Sequence, residues 1–191
     1  MRKLIAAALL LSLLASGARA QEVQGKNSTT LFGNLGYVNN VSSFNAPVDG
    51  LSRSGPAGNV RIMWHPQFLL AYGVEVGYTA RYSVNSTGSA GSIDATNGAW
   101  PIFFVLSMSP AKRFLVNAGM GPVISTSSVT ALGSSTSTSS VGSGFMASVA
   151  YLAPVSPKFD LGGEFRFLRS DTFNDNILSL QFTVAYRLSG K

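Results

Sequence analysis

The sequence predicts an all-β fold, an eight-stranded antiparallel up-and-down transmembrane β-barrel that follows a cleaved signal peptide. Three observations carry this. The composition is membrane-like, with 46% hydrophobic and only 12% charged residues, against about 25% charged in ordinary soluble domains. Yet beyond residue 20 no apolar run is longer than that of residues 102–106, far short of the ~18 residues that suggest a spanning helix. Inside lipid every backbone polar group must be paired internally, so the remaining spanning structure is a closed barrel. Period-2 alternation and a sorting of connections by length then point to the barrel directly.

The first element is the leader, residues 1–20. Arg2 and Lys3 give a positive start, residues 4–14 are apolar except for Ser12, and Ala18-Arg19-Ala20 supplies the small-x-small cleavage pattern. Cleavage is expected before Gln21, which leaves residues 21–191 as the barrel domain. The leader removes Arg2, Lys3 and Arg19, so the formal charge falls from +6 to 6 − 3 = +3. The remaining Lys and Arg are scattered, which argues against nucleic acid as a partner. With no cysteine in the chain, a disulfide framework and a thiolate metal site are both excluded. Closure of a sheet within a membrane is then the expected source of stability.

Strands are expected near residues 29–39, 57–65, 68–83, 98–108, 113–123, 143–153, 159–169 and 176–188. In the first, Leu31, Leu35 and Tyr37 sit opposite Asn34 and Gly36. Val60, Ile62 and Trp64 alternate with Asn59, Arg61 and Met63 in the second, and Tyr72, Val74, Val76, Tyr78, Ala80 and Tyr82 with Gly73, Glu75, Gly77, Thr79 and Arg81 in the third. The fourth and sixth are apolar on both faces. In the fifth, Phe114, Val116, Ala118 and Met120 alternate with Leu115, Asn117, Gly119 and Gly121. The seventh sets Leu161, Gly163, Phe165 and Phe167 against Asp160, Gly162, Glu164 and Arg166. The last is the clearest: Leu178, Leu180, Phe182, Val184, Tyr186 and Leu188 alternate with Ser179, Gln181, Thr183, Ala185 and Arg187. One face of such a strand meets an apolar medium and the other a polar one.

Connections alternate short and long. Short turns lie at His65-Pro66-Gln67, Ser109-Pro110-Ala111-Lys112 and Pro154-Val155-Ser156-Pro157-Lys158. Long loops rich in Ser, Thr, Gly and Asn are expected over residues 41–56, 84–97 and 124–142, with an intermediate loop over 170–175. In an up-and-down barrel all odd connections share one rim, so the sorting matches short periplasmic turns and long outer loops. Pro122, which cannot donate to a ladder, is expected near the outer rim, where pairing already ends.

Eight strands leave an interior that side chains just fill. The inward polar set is Asn34, Arg61, Glu75, Arg81, Asn117, Glu164, Arg166, Gln181 and Arg187. Arg61 with Glu75, and Glu164 with Arg166 and Arg187, are expected to pair across the lumen, because charges in a poorly hydrated space need partners. A polar plug is favoured over an ion pathway or gate. Interface aromatics are expected at Trp64, Tyr72, Phe114, Tyr151, Phe159 and Tyr186 at the periplasmic end, and at Tyr37, Tyr82 and Trp100 toward the outer end. His65 is the only histidine and falls on a short turn. No nucleophile, base and carboxylate set can then form at the outer rim. Neither a phosphate loop nor a zinc cluster is present, and no cofactor is expected.

The even strand number, parity-sorted connections, terminal aromatics and the alternating last strand resemble the small eight-stranded outer-membrane barrels of the OmpA-transmembrane-domain and OmpX type. The resemblance covers residues 21–191 and is architectural. It implies an outer-membrane location, lipids of that membrane as surroundings, and the insertion machinery and periplasmic chaperones as partners. The last strand, with Phe182, Val184, Tyr186 and Leu188, would serve as the insertion signal. The function expected is non-enzymatic, in envelope structure or surface interaction, with no extracellular partner specified. A soluble lipocalin-like binder of an apolar ligand and a narrow porin-like channel are the alternatives.

Overall fold

A computed structural model of the chain describes residues 28–42, 50–66, 70–88, 91–131, 134–171 and 175–189. The expected leader lies outside the described residues. Nine strands follow in order: β1 (Ser28–Asn40), β2 (Leu51–Ser52), β3 (Ser54–His65), β4 (Leu70–Gly88), β5 (Gly91–Ala111), β6 (Phe114–Ala131), β7 (Ser134–Pro154), β8 (Phe159–Ser170) and β9 (Asp175–Ser189). The eight long ones close into a ring, β4-β3-β1-β9-β8-β7-β6-β5 and back to β4, with every pairing antiparallel. Closure removes the sheet edges that lipid would leave unpaired. The two-residue β2 adds only a short flank to β4.

The barrel is inverted relative to a soluble protein. Its outer surface carries Leu35, Val60, Phe104, Met120, Phe165, Leu180 and Phe182, each more than half exposed. Its inside holds Arg61, Glu75, Arg81 and Glu164, each with at most 1% of its surface exposed. An apolar exterior around a charged interior suits lipid and excludes the lipocalin-like alternative, which needs the opposite arrangement.

Strand ends match the expectation at one end of the barrel, called here the turn end. Turns there are tight: Ala111 pairs with Phe114 across Lys112-Arg113, and Arg113 adopts φ 75° to close the chain. Its carbonyl then accepts the N–H of Leu152 at 2.8 Å. Close approach is also needed inside the wall at Gly36, opposite Gln181, where a Cβ would strike the Leu180 carbonyl.

At the opposite end, called the hairpin end, three expectations are corrected. The described residues 84–88, 91–97, 124–131 and 134–142 are not loops. They are the far halves of the β4–β5 and β6–β7 hairpins, paired without a break to Gly88↔Gly91 and Ala131↔Ser134. Toward their tips both faces are exposed, as at Ile93, Asp94, Val129 and Thr130, and both faces carry Ser and Thr. These halves therefore lack the apolar alternation by which lipid-facing strands are recognised, while their Thr and Val residues still favour extended chain. The third long loop is shortened as well, since β3 starts at Ser54 and β2 lies before it, residues 43–49 being outside the described set.

Pro122 is likewise not at a fraying rim. It lies mid-strand, paired with Ser143 on β7, and the ladder continues nine residues past it. Its missing donor falls on the β5 side, where pairing stops at Pro101↔Val123 and resumes at Phe104↔Met120 in the same register. Pro101 does the same one strand over, between Val76↔Ile102 and Thr79↔Ala99. Each proline thus removes one donor from a ladder and leaves its register intact.

Candidate functional site

Two places in this frame are unlike generic barrel wall: the charged layer that crosses the lumen, and the sheet that rises beyond it.

Strand register builds the charged layer. Arg61 on β3 stands directly opposite Glu75 on β4, and its Nε donates to Oε2 at 2.7 Å. Its Nη2 reaches across the lumen to both oxygens of Glu164 on β8, at 2.8 and 3.0 Å. Arg166, two residues along on the same inward face of β8, closes the circuit to Glu75 at 2.5 Å. Two cations and two anions are therefore mutually neutralised, which is what allows them to be buried. Aromatic faces bracket the cluster: the Arg61 guanidinium lies 5.7 Å from the Phe32 ring centre, and that of Arg166 5.9 Å from Phe103.

One step toward the hairpin end, Asn34 donates to Asn59, and Asn59 donates to Gln181 at 2.9 Å. Asn117 donates to Ser148 on the next strand at 2.9 Å. Nearer still to that end, Arg81 pairs with Asp175 at 3.3 Å, both buried. Arg187 is placed differently from expectation. It does not join Glu164 but lies at the turn end, more than a third exposed, bound to Asp160 at 2.7 Å and to the Pro157 carbonyl at 3.0 Å. Its odd position faces inward as expected, but three steps of the alternation separate it from the level of Gln181, opposite Glu164. It lines a cavity of about 210 Å³ with His65, Lys112, Arg113 and Asp160.

The expected aromatics fall at two levels. Toward the turn end, Trp64–Tyr72, Phe114–Tyr151 and Phe159–Tyr186 are direct cross-strand partners with ring centres 5.0, 5.2 and 4.7 Å apart. Toward the hairpin end, Trp100 packs at 5.1 Å on Tyr78, while Tyr37 donates to Ser54 at 3.2 Å. Tyr82 is half-buried at the one register shift between β4 and β5. Asp175, Asp160 and Asn59 are partners that sequence reasoning does not single out. Asp175 falls in an expected loop, but the inward phase of β9 carries back to it two residues at a time from Gln181.

No protein-family model matches the chain, and no curated protein does. Solved structures do match. A major outer membrane protein of Thermus thermophilus is similar over 85% of this chain and 99% of its own, with 12% identity and a TM-score of 0.60. Ail, the attachment invasion locus protein of Yersinia pestis, solved with the heparin analogue sucrose octasulfate, is similar over 86% and 99%, with 13% identity and a TM-score of 0.53. OprG of Pseudomonas aeruginosa is similar over 87% and 98%, with 11% identity and a TM-score of 0.51. The fold is that of the small outer-membrane barrels.

In this outer-membrane barrel fold the lipid-facing strand portions end where polar residues appear on the outward face. On β9 the outward series Leu178 to Leu188 is apolar or aromatic throughout, and Asn176 precedes it. That is eleven residues from Leu178 to Leu188, matching the ~9–11 tilted residues of a spanning strand. Beyond this level β4, β5, β6 and β7 continue as a four-stranded sheet rich in Ser, Thr, Gly and Val.

Proposed function

We propose that the chain is a non-enzymatic outer-membrane barrel whose occupied lumen makes it a fixed pedestal, and whose protruding sheet makes contacts at the cell surface. One observation supports this above the rest: the β4–β7 sheet extends past the lipid-facing belt while the Arg61–Glu75–Glu164–Arg166 cluster fills the barrel beneath it. The hairpin end is then extracellular and the turn end periplasmic, as short turns and long outer segments arrange themselves in such barrels. Residues 1–20 act as the cleaved leader, and periplasmic chaperones and the insertion machinery deliver the chain. A protein of the same fold is named for attachment and invasion, which is in keeping with work done at the outer rim.

Two measurements test the reading. Purified protein in planar bilayers is expected to pass no steady current, and large sustained openings would replace the pedestal with a channel. Replacing residues 126–139 by Asn-Gly, a pair suited to a two-residue hairpin, should leave a heat-modifiable barrel in the membrane. Cells carrying it should lose the added retention on polystyrene conferred by the full chain. Equal retention would overturn the contact role.

A further inference from the structure

The four-stranded extension has two flanks, and they are treated differently. On β4 the flank is covered: β2 pairs with Ser83 and Val84, and the Asn85 N–H donates to the Gly50 carbonyl at 3.3 Å. On β7 it is open. Pairing with β8 begins only at Gly144↔Ser170, so residues 134–143 have β6 as their only strand partner among the described residues. The Ser143 carbonyl accepts the Asp171 N–H at 2.9 Å, on the side away from β6. By the two-residue alternation of an antiparallel ladder, the N–H and C=O groups of Ser135, Ser137, Ser139 and Val141 face that same open side.

Open edges are normally guarded by proline, lysine, an inward charge or a bulge. Residues 134–143 contain none of the first three, and their register with β6 is unbroken. Across the whole extension (residues 83–88, 91–99, 123–131 and 134–143) the only charged residue is Asp94. Residues 134–140 also read the same in both directions, Ser-Ser-Thr-Ser-Thr-Ser-Ser.

We infer that this edge pairs with the same edge of a second copy of the chain on a facing cell. The inference rests on the reading that the extension is displayed outside. A two-fold axis at Ser137 sets Ser134 against Ser140, Ser135 against Ser139, Thr136 against Thr138, and Ser137 against its own copy. The Ser135/Ser139 pairs and the Ser137 pair are the hydrogen-bonded ones; three pairs exchanging two bonds each supply six backbone bonds. Thr136 and Thr138 meet at non-hydrogen-bonded sites, where side chains are closest and Thr–Thr pairs are favourable. The near absence of charge gives no handle for an oppositely charged partner and no repulsion between copies.

Symmetry decides the arrangement. Barrel strands tilt by about 35–45°, so two copies in one membrane, related by an axis along its normal, cross at about twice that angle and cannot form an antiparallel ladder. An axis lying in the membrane plane makes the strands antiparallel and puts the two membranes on opposite sides of the contact.

Because the chain has no cysteine, single cysteines report on this contact. Two cell populations, each expressing the full chain with a different tag, are mixed under mild oxidation. Ser137→Cys in both populations should give mixed-tag disulfide dimers, since facing Cα atoms about 5.5 Å apart suit a disulfide. Thr136→Cys cells mixed with Thr138→Cys cells should do the same. Either variant mixed with itself should give at least five-fold less, its thiols being offset along the ladder. Ser137→Pro removes an N–H that the β6 ladder does not use; it should keep heat-modifiable migration and lose mixed clumping. Surface-labelled Ser137→Cys that forms no mixed dimers, dimers confined to one population, or self-linking of Thr136→Cys as strong as the mixture would each overturn the inference. If mixed dimers are absent while the 126–139 replacement still abolishes retention on polystyrene, the self-pairing fails and the contact role stands. If Ser137→Cys cannot be labelled from outside, both fail.

Discussion

Arg61 stands opposite Glu75 in the β3–β4 ladder and reaches across the lumen to Glu164 on β8, so one guanidinium ties two walls of the barrel together. Glu75 in turn holds Arg166. The layer is thus a circuit of charge in which each cation has an anion.

Breaking that circuit at one point should be costly. Glu75→Ala leaves Arg61 and Arg166 each short of a partner, and removal of one side of a buried ion pair typically costs about 3–5 kcal/mol. The expected outcome is a fall in the urea midpoint of the heat-modifiable form. Replacing all four members together with uncharged residues (R61M, E75L, E164Q and R166M) should cost less than Glu75→Ala alone, because no charge is stranded.

The Arg81–Asp175 pair should behave in the same way near the hairpin end. Asp175→Ala is expected to destabilise by about 3 kcal/mol, the lower end of the range for removing one partner of a buried ion pair. Pairing it with Arg81→Met should recover at least half of that loss. The thermal midpoints of both variants and of the unmodified protein in detergent decide it.

Placement of the lipid belt predicts opposite responses to the same substitution. Phe182 faces outward between Leu35 on β1 and Gly163 on β8, so Phe182→Lys should cost about 2–4 kcal/mol, the range for lysine near a bilayer midplane. Thr130→Lys lies in the exposed extension and should change stability by less than about 0.5 kcal/mol. Equal effects would move the belt.

Orientation is open to direct labelling. Thr130→Cys should react with an impermeant maleimide on intact cells. Lys112→Cys, in the tight turn at the other end, should react only after the outer membrane is opened.

Legibility in the sequence follows lipid contact. The last strand is readable to within two residues because its outward positions, Leu178 through Leu188, must be apolar while Gln181 and Thr183 must not. The Ser/Thr segments mislead for the converse reason. With Ser and Thr on both faces, residues 124–131 and 134–142 carry no two-residue contrast, and only their hairpin partners, visible in the fold, reveal them as strands. The Arg61–Glu75 pairing follows from adjacent strands joined by a short turn. Which distant carboxylate completes Arg61, or that Arg81 finds Asp175, depends on how far each strand is staggered around the ring, and no local pattern in the chain records stagger.

The prolines at 101 and 122 give the cylinder a grain. Around most of the circumference the wall is a continuous ladder, but at these two residues it opens, on neighbouring strand pairs and in unbroken register. Such a wall is anisotropic: twisting or stretching it loads the β4–β5–β6 sector first, as a woven tube gives along its loosest thread. In deuterated buffer the amides of this sector should therefore exchange before their counterparts on β8 and β9. The same sector is where a chain closing on itself during insertion has the fewest bonds to form at once.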